Sequence, residues 1–556
     1  MKLNNLIYGV LTIFAFSSCA DQMEYSEYNP YDAGYVKRTF YDVGGLVSNI
    51  YQSLDSDFGN YSGAILGSAT DESQYSYTGN AIETFYNGAW SPVNAQSSMW
   101  TSCYKAIANC NNYLEEFTGL TFSEYEQISD YEAEMYRYNN YQYEVRFLRA
   151  YFYFNLVRQY GDVPFTDHVL STTEVNTLTR KPAQEVFDWI IKECDEIKDL
   201  IIPDYNNLLA LKARTALYAA SPLFNSHQEG SQGYKELWYR AAKANKELIE
   251  TCEDAGMRLI DDYENLWDAK SYSIAIDELI FGCRAIRATN SFEKYNFPVG
   301  LENCRGGNCP TQTLVDAYEL KDSGERPDKK ADYDKNKPYY EGRDPRFEKT
   351  IAKNGDTKWP NWNETALETY QGGANAEPLS GGTPTGYYLK KYCQTSINTT
   401  TAKPTTDNHT WIIYRLGEFY LNYAEALFKY LGTAYATNNE FPIPANEMVS
   451  KTRRRTKVNM PKFPAGLDNK LWWEKYQNER MVELAFEGHR FWDVRRWKEG
   501  DKHFSSIDEM KIYKSGDSYS YRRVTVNRQW DDKMYFFPIP QSEKAKNPNL
   551  TQNPGW

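Results

Sequence analysis

Gln142 to Phe165, QYEVRFLRAYFYFNLVRQYGDVPF, constrains this chain more than any other stretch. Val145, Leu148, Phe152, Leu156 and Gln159 recur at helical spacing, and Phe147, Tyr151, Phe154 and Arg158 form a second stripe. A helix with two such stripes must be packed on two sides, so it belongs inside an array of helices. Gly161 can take the positive φ that ends a helix, and Pro164 prevents its resumption. This stretch builds scaffold and carries no chemistry.

The same periodicity predicts further helices. Residues 35–56 align Phe40, Val43, Leu46, Ile50 and Leu54, and Met99 to Phe117 aligns Trp100, Tyr104, Ile107 and Leu114. Lys181 to Leu200 has Pro182 in its first turn and a stripe of Val186, Ile190 and Ile197. An Ala/Leu-rich helix from Asn207 to Ala220 stops at Pro222, and residues 234–252 and Trp411 to Tyr430 follow. In the last, Ala424 and Ala426 permit close approach of a neighbouring helix. These helices read as pairs of TPR character separated by unequal insertions, and TPR helices make interaction surfaces. Two regions break the pattern. Residues 62–95 and 283–410 are rich in Gly, polar residues and aromatics, an unusual mixture for plain connections. The expected fold is mostly α, with TPR-like helix pairs packed against an irregular, loop-rich region.

The 556 residues suffice for one large or two intimate domains. A net charge of −13 argues against nucleic acid, whose phosphates need a basic face. The amino terminus reads as a processing signal. Lys2 precedes an apolar run from Leu6 to Phe16, and Ser17-Ser18-Cys19 ends it with small residues. That run is too short to span a bilayer stably. The expectation is a signal peptide over 1–18, lipid attachment at Cys19 as in a bacterial lipobox, and a polar tether over 19–31.

Catalytic signatures are weak. Glu479, Glu483 and Glu487 are spaced to share a helix face, which invites a glycosidase reading, but glycosidases need two carboxylates with split pKa values. Arg480, Arg490, Arg495 and Arg496 lie in the same stretch, so structural ion pairs with these and with neighbouring helices are expected instead. Cys103 and Cys110 are about 10 Å apart along a helix axis, too far to bridge each other, whereas Cys304 and Cys309 are close enough in sequence to close a small loop. Neither a zinc spacing, a histidine triad nor a phosphate loop is present, so no metal or cofactor is expected.

The aromatic loops offer different chemistry. A sugar presents a face of C–H groups and a rim of hydroxyls, which a flat ring and nearby polar side chains can bind together. The high counts of Tyr (47) and Trp (14) suit such surfaces. Candidate contacts are Asp71, Tyr75 and Trp90 in the first region, with Tyr77 beside them. In the second they are Tyr295, Asn296, Arg305, Trp359, Trp362 and Tyr387.

Arg146, Phe147, Arg149, Ala150, Tyr151, Tyr153, Leu156, Tyr160, Gly161 and Pro164 resemble a characteristic helix of the SusD/RagB family. So do Pro310 to Tyr318 (PTQTLVDAY), Asp344-Pro345-Arg346, Gly386-Tyr387-Tyr388, the ERMVELAFEGHRFWDVRRW stretch of 479–497, and the terminal Asn547 to Gly555. The resemblance implies a non-catalytic, outer-membrane lipoprotein at the cell surface. It would bind an oligo- or polysaccharide on a shallow loop platform and deliver it to a SusC-like TonB-dependent transporter. It further implies an N-terminal region over 32–282 and a C-terminal region over 283–556. Peptide capture, a secreted glycoside hydrolase and a purely structural assembly role are the alternatives.

Overall fold

The structure, a computed structural model, describes residues 33–96, 99–201, 205–285, 287–327 and 342–556. The signal segment 1–18, Cys19 and the tether 19–31 lie outside the described residues. In chain order the elements used below begin with α1 (Phe40–Tyr51), β1 (Ser73–Tyr75), α2 (Met99–Glu116), α3 (Tyr131–Tyr160), α4 (Ala183–Ile197), α5 (Tyr205–Ala220) and α6 (Gln232–Asp254). Then come β2 (Leu279–Arg284), β3 (Asn308–Pro310), β4 (Thr410–Arg415), α7 (Leu416–Leu431), α8 (Ala445–Arg453), α9 (Asn469–Glu483), α10 (His489–Arg496), and the hairpin strands β5 (Ser506–Ser515) and β6 (Ser518–Asn527).

The fold is mostly helical, and α2 to α8 form a relay in which each helix packs on the next. Small residues set the spacing: Ala210, Ala213 and Ala216 of α5 and Ala241, Ala242 and Ala244 of α6 are all buried. Both stripes of α3 are covered, because Phe147 to Val157 is buried without a break. The helix starts about three turns earlier than its apolar pattern, where its side chains are mostly solvated. Polar ties fix its neighbours. Arg146 holds Glu193 of α4 through two hydrogen bonds (3.0 and 2.8 Å), and Arg149 donates to Asn111 of α2 (2.9 Å).

Two expected helices differ. Trp411 to Arg415 is the strand β4, antiparallel to β2, because its run of Ile and aromatic residues suits a buried strand and Leu416 opens the helix instead. The 479–497 stretch is two helices. Phe486 (φ 61) and Gly488 (φ 78) take left-handed conformations that no α-helix continues through.

At this break the glutamates meet cations from distant segments. Glu483 accepts from Arg346 (2.7 Å), Arg415 (2.8 Å) and Arg455 (2.7 Å). Glu479 accepts from Arg346 and Arg453, and Glu487 from Arg415 and Lys391, all at 2.7 Å. The partners therefore come mainly from other elements and not from the arginines of the same stretch. Arg480 and Arg496 are instead paired with Asp493, and Arg496 also with Glu425.

Candidate ligand-binding surface

The two irregular regions, separated by residues 96–282, are joined by one short ladder. β1 pairs antiparallel with β3, Tyr75 opposite Asn308 and Ser73 opposite Pro310. Asn308 locks the junction. Its side-chain oxygen accepts from Ile65 N (2.9 Å) and Ser68 Oγ (2.8 Å), and its Nδ2 donates to Gly63 O (3.2 Å) and Asn296 Oδ1 (2.8 Å). Both asparagines are buried, so their full bonding makes a rigid clamp.

Above the clamp three tyrosines and an arginine converge. The Tyr75 and Tyr77 ring centroids are 5.9 Å apart. Tyr77 donates to the backbone oxygen of Arg305 (2.8 Å), whose guanidinium lies 5.5 Å from the Tyr295 ring centroid. Tyr75 and Asn80 donate to Ser62 O. The close fit depends on two glycines. A Cβ on Gly63 would sit 2.5 Å from Tyr75 Oη and 2.7 Å from Tyr295 Cδ1, and one on Gly381 would sit 2.1 Å from Arg305 O and 2.4 Å from Tyr77 Oη. Burial, reinforced by Tyr77, raises the Tyr75 phenol above its ordinary pKa, so it stays a neutral hydrogen-bonding group. Tyr77 and Tyr295 are half-buried and Arg305 is exposed.

Of the residues expected at the ligand, Tyr75, Tyr295 and Arg305 meet here, with Tyr75 mostly covered. Others are turned inward, a correction to their expected role. Asp71 (2% exposed) is gripped by Arg490 through bonds of 2.8 and 2.7 Å. Trp90 (2%) is walled by Phe85, Phe537 and Trp556. Asn296 is a clamp residue, Trp359 (4%) packs edge-on against Phe297, and Tyr387 (0%) donates to Gln312 (2.6 Å). Large rings in loops without periodicity are buried where the loops fold on one another and on the C-terminal segment, as Trp90 is against Phe537 and Trp556. Trp362 is half-buried and donates to Ile397 O (2.9 Å). Ser62, Asn80 and Lys294 were not singled out from sequence.

The glutamate trio does not form an acid–base pair. Burial opposes ionisation of Glu483, yet the charges of Arg455, Arg415 and Arg346 outweigh it and hold the carboxyl well below the usual range. Glu487 is likewise held low by Arg415 and Lys391 against its burial. Cys304 and Cys309 are free thiols, as are the other described cysteines. Among the described residues no three His, Cys, Asp or Glu side chains converge to hold a metal. A groove of about 540 Å³ elsewhere is mainly apolar, lined by Trp100, Tyr104, Ile107, Leu170, Leu178 and Leu550, with Lys105, Asn111, His168 and Glu543 among its polar residues.

A helix relay bearing a loop-built lobe with a tyrosine surface defines the class. The chain belongs to the SusD family, whose profile matches residues 278–556. A second profile, described as starch-binding associating with outer membrane, matches residues 25–222. The chain is 24% identical to SusD-like protein P2 of Formosa agariphila over 83% of this chain and 80% of the relative. To a SusD-like protein of Bacteroides ovatus it is 21% identical over 99% and 98%. Among solved structures, a SusD-like carbohydrate binding protein of Bacteroides fragilis superposes with a TM-score of 0.72 at 22% identity, covering 93% of this chain and 100% of that one. A laminarin binding SusD-like protein gives 0.61 at 20% identity, covering 93% and 99%.

Proposed function

We propose that this chain captures a glycan at the outer cell surface without cleaving it and hands it to a SusC-like TonB-dependent transporter. The observation that carries the reading is the surface of Tyr75, Tyr77 and Tyr295 around Arg305, held on a fully bonded asparagine clamp. Rings held rigidly in advance lose little entropy on stacking with a sugar face. Relatives described as carbohydrate binding and laminarin binding support the ligand class. The engagement of Glu479, Glu483 and Glu487 in ion pairs supports binding without hydrolysis. In this reading Cys19 carries the lipid anchor, residues 32–282 supply transporter-facing TPR-like helices, and 283–556 supplies much of the ligand-facing loop structure.

Native affinity electrophoresis of residues 21–556 through a panel of polysaccharides, with reducing ends assayed alongside, tests this. Retardation without new ends, lost in a Tyr77→Ala/Tyr295→Ala variant of unchanged circular dichroism, is expected. New reducing ends, or retardation indifferent to both tyrosines, would overturn it.

A further inference from the structure

Arg305 stands exposed with its backbone fixed at both ends, its N–H donating to Lys294 O (2.9 Å) and its oxygen accepting from Tyr77 (2.8 Å). Its guanidinium rests beside Tyr295, and among the described residues neither it nor the neighbouring Lys294 has an ion pair. Two acids are close in sequence. Glu293 is buried against His409 (2.8 Å) and Gln394 N (2.9 Å), and Glu302 accepts from Thr401 N (2.8 Å). The other residues of the surface, Ser62, Tyr77, Asn80 and Tyr295, are neutral. Arg305 and Lys294 are the cations of this surface in a chain of net charge −13.

A second pair of the same kind lies along the loop that reaches Tyr77 at Gly381. At the loop's other end Lys514 Nζ is 4.9 Å from the Tyr370 ring centroid and 6.0 Å from that of Tyr519, with the Glu368 carboxylate close to both Lys514 and Tyr370. Gln371 N donates to Ile512 O (2.8 Å), which ties this end to β5.

We propose that the tyrosine surface takes a polyuronate, a glycan carrying carboxylates on repeating units, and that the Arg305 guanidinium recognises the charge. The inference rests on the capture reading and specifies its ligand. Neutral sugars use ring faces and hydroxyl partners and gain little from a bare guanidinium. A carboxylate gains two parallel charge-assisted hydrogen bonds from its fork. Two cation–tyrosine pairs at the two ends of one loop suit repeated charge along a polymer. The chain's net charge of −13 disfavours attachment of such a polymer away from its cations.

The test compares polygalacturonate, alginate and glucuronoxylan with carboxyl-reduced polygalacturonate and laminarin, by affinity electrophoresis and calorimetry on residues 21–556. At least one polyuronate is expected to bind, with the carboxyl-reduced polymer at least about tenfold weaker if polygalacturonate is the ligand. Arg305→Gln should weaken polyuronate binding about tenfold or more, Arg305→Lys should recover only part of it, and raising NaCl from about 0.05 to 0.5 M should weaken it severalfold. Binding of laminarin alone, unaffected by Arg305→Gln, would overturn the inference and leave glycan capture standing. Failure of every polysaccharide to bind would overturn both readings.

Discussion

Glu483 is the residue whose replacement the ion network makes most costly. It is fully buried and accepts three hydrogen bonds of 2.7 to 2.8 Å from Arg346, Arg415 and Arg455. In Glu483→Gln the shape is kept, but the charge goes and one oxygen becomes an amide that faces guanidinium donors. Each charge-assisted bond contributes about 1.5–3 kcal/mol, and breaking a buried ion cluster from one side costs about 3–5 kcal/mol. The neighbouring Glu278, Glu479 and Glu487 keep the arginines from being stranded, which argues for the lower half of that range. With an unfolding entropy of about 2.1 cal/mol/K per residue, a chain of this size loses about 2.5–3.5 °C in Tm for that change. Differential scanning calorimetry and urea unfolding of the variant measure it. The exposed pair Lys37–Glu116 is the control, where Glu116→Gln should cost about 1 kcal/mol or less. Since the arginines hold Glu483 low in the folded state, its contribution is present above the unfolded carboxylate value of about 4.3 and is lost as pH falls below it. The gap between wild type and variant should therefore narrow towards pH 3. A Glu483→Gln protein that melts within 1 °C of wild type at pH 7, a threshold of about 1 kcal/mol for this chain, would refute the reasoning.

Two further outcomes follow from burial. Trp90→Ala should destabilise by about 3–5 kcal/mol, since it empties a ring's space among Phe85, Phe537 and Trp556, while glycan affinity in the folded fraction stays unchanged; a selective loss of affinity at wild-type stability would contradict this. Glu72 is buried with one oxygen unpartnered, and burial, followed by the charge of Asp71, pushes its pKa up to about 8. A raised carboxyl contributes stability that is intact below about pH 4.3 and lost as pH rises through about 8. Glu72→Gln should therefore gain on wild type by about 2–4 kcal/mol between pH 5 and pH 9, and a pH-independent difference in chemical denaturation would rule the assignment out.

What the sequence determined by itself is the part governed by local periodicity. The stripes of α3, the Ala-rich contact faces of α5 and α7, and the motifs at 310–318 and 479–497 specify which residues are apolar on which side, and that suffices for a helix relay and a family. The end of α3 at Gly161 was legible for the same reason. Other features depended on partners far along the chain. β4 looked helical because nothing local announces that β2 will pair with it. The glutamates of α9 found Arg346, Arg415 and Arg455 where the sequence offered the nearer Arg480 and Arg490. The ligand surface shows the division most clearly. Its ingredients, aromatic loops with polar neighbours, could be read, but not which rings face out. Asp71, Trp90, Asn296, Trp359 and Tyr387 have the right side chains and became the loops' interior. Tyr77, Tyr295 and Arg305 stayed accessible because the β1–β3 ladder and the Asn296–Asn308 clamp carry them to one place. A period of 3.6 residues is a local property of the chain, whereas the exposure of a ring in an irregular loop is set by whichever distant segment packs against it.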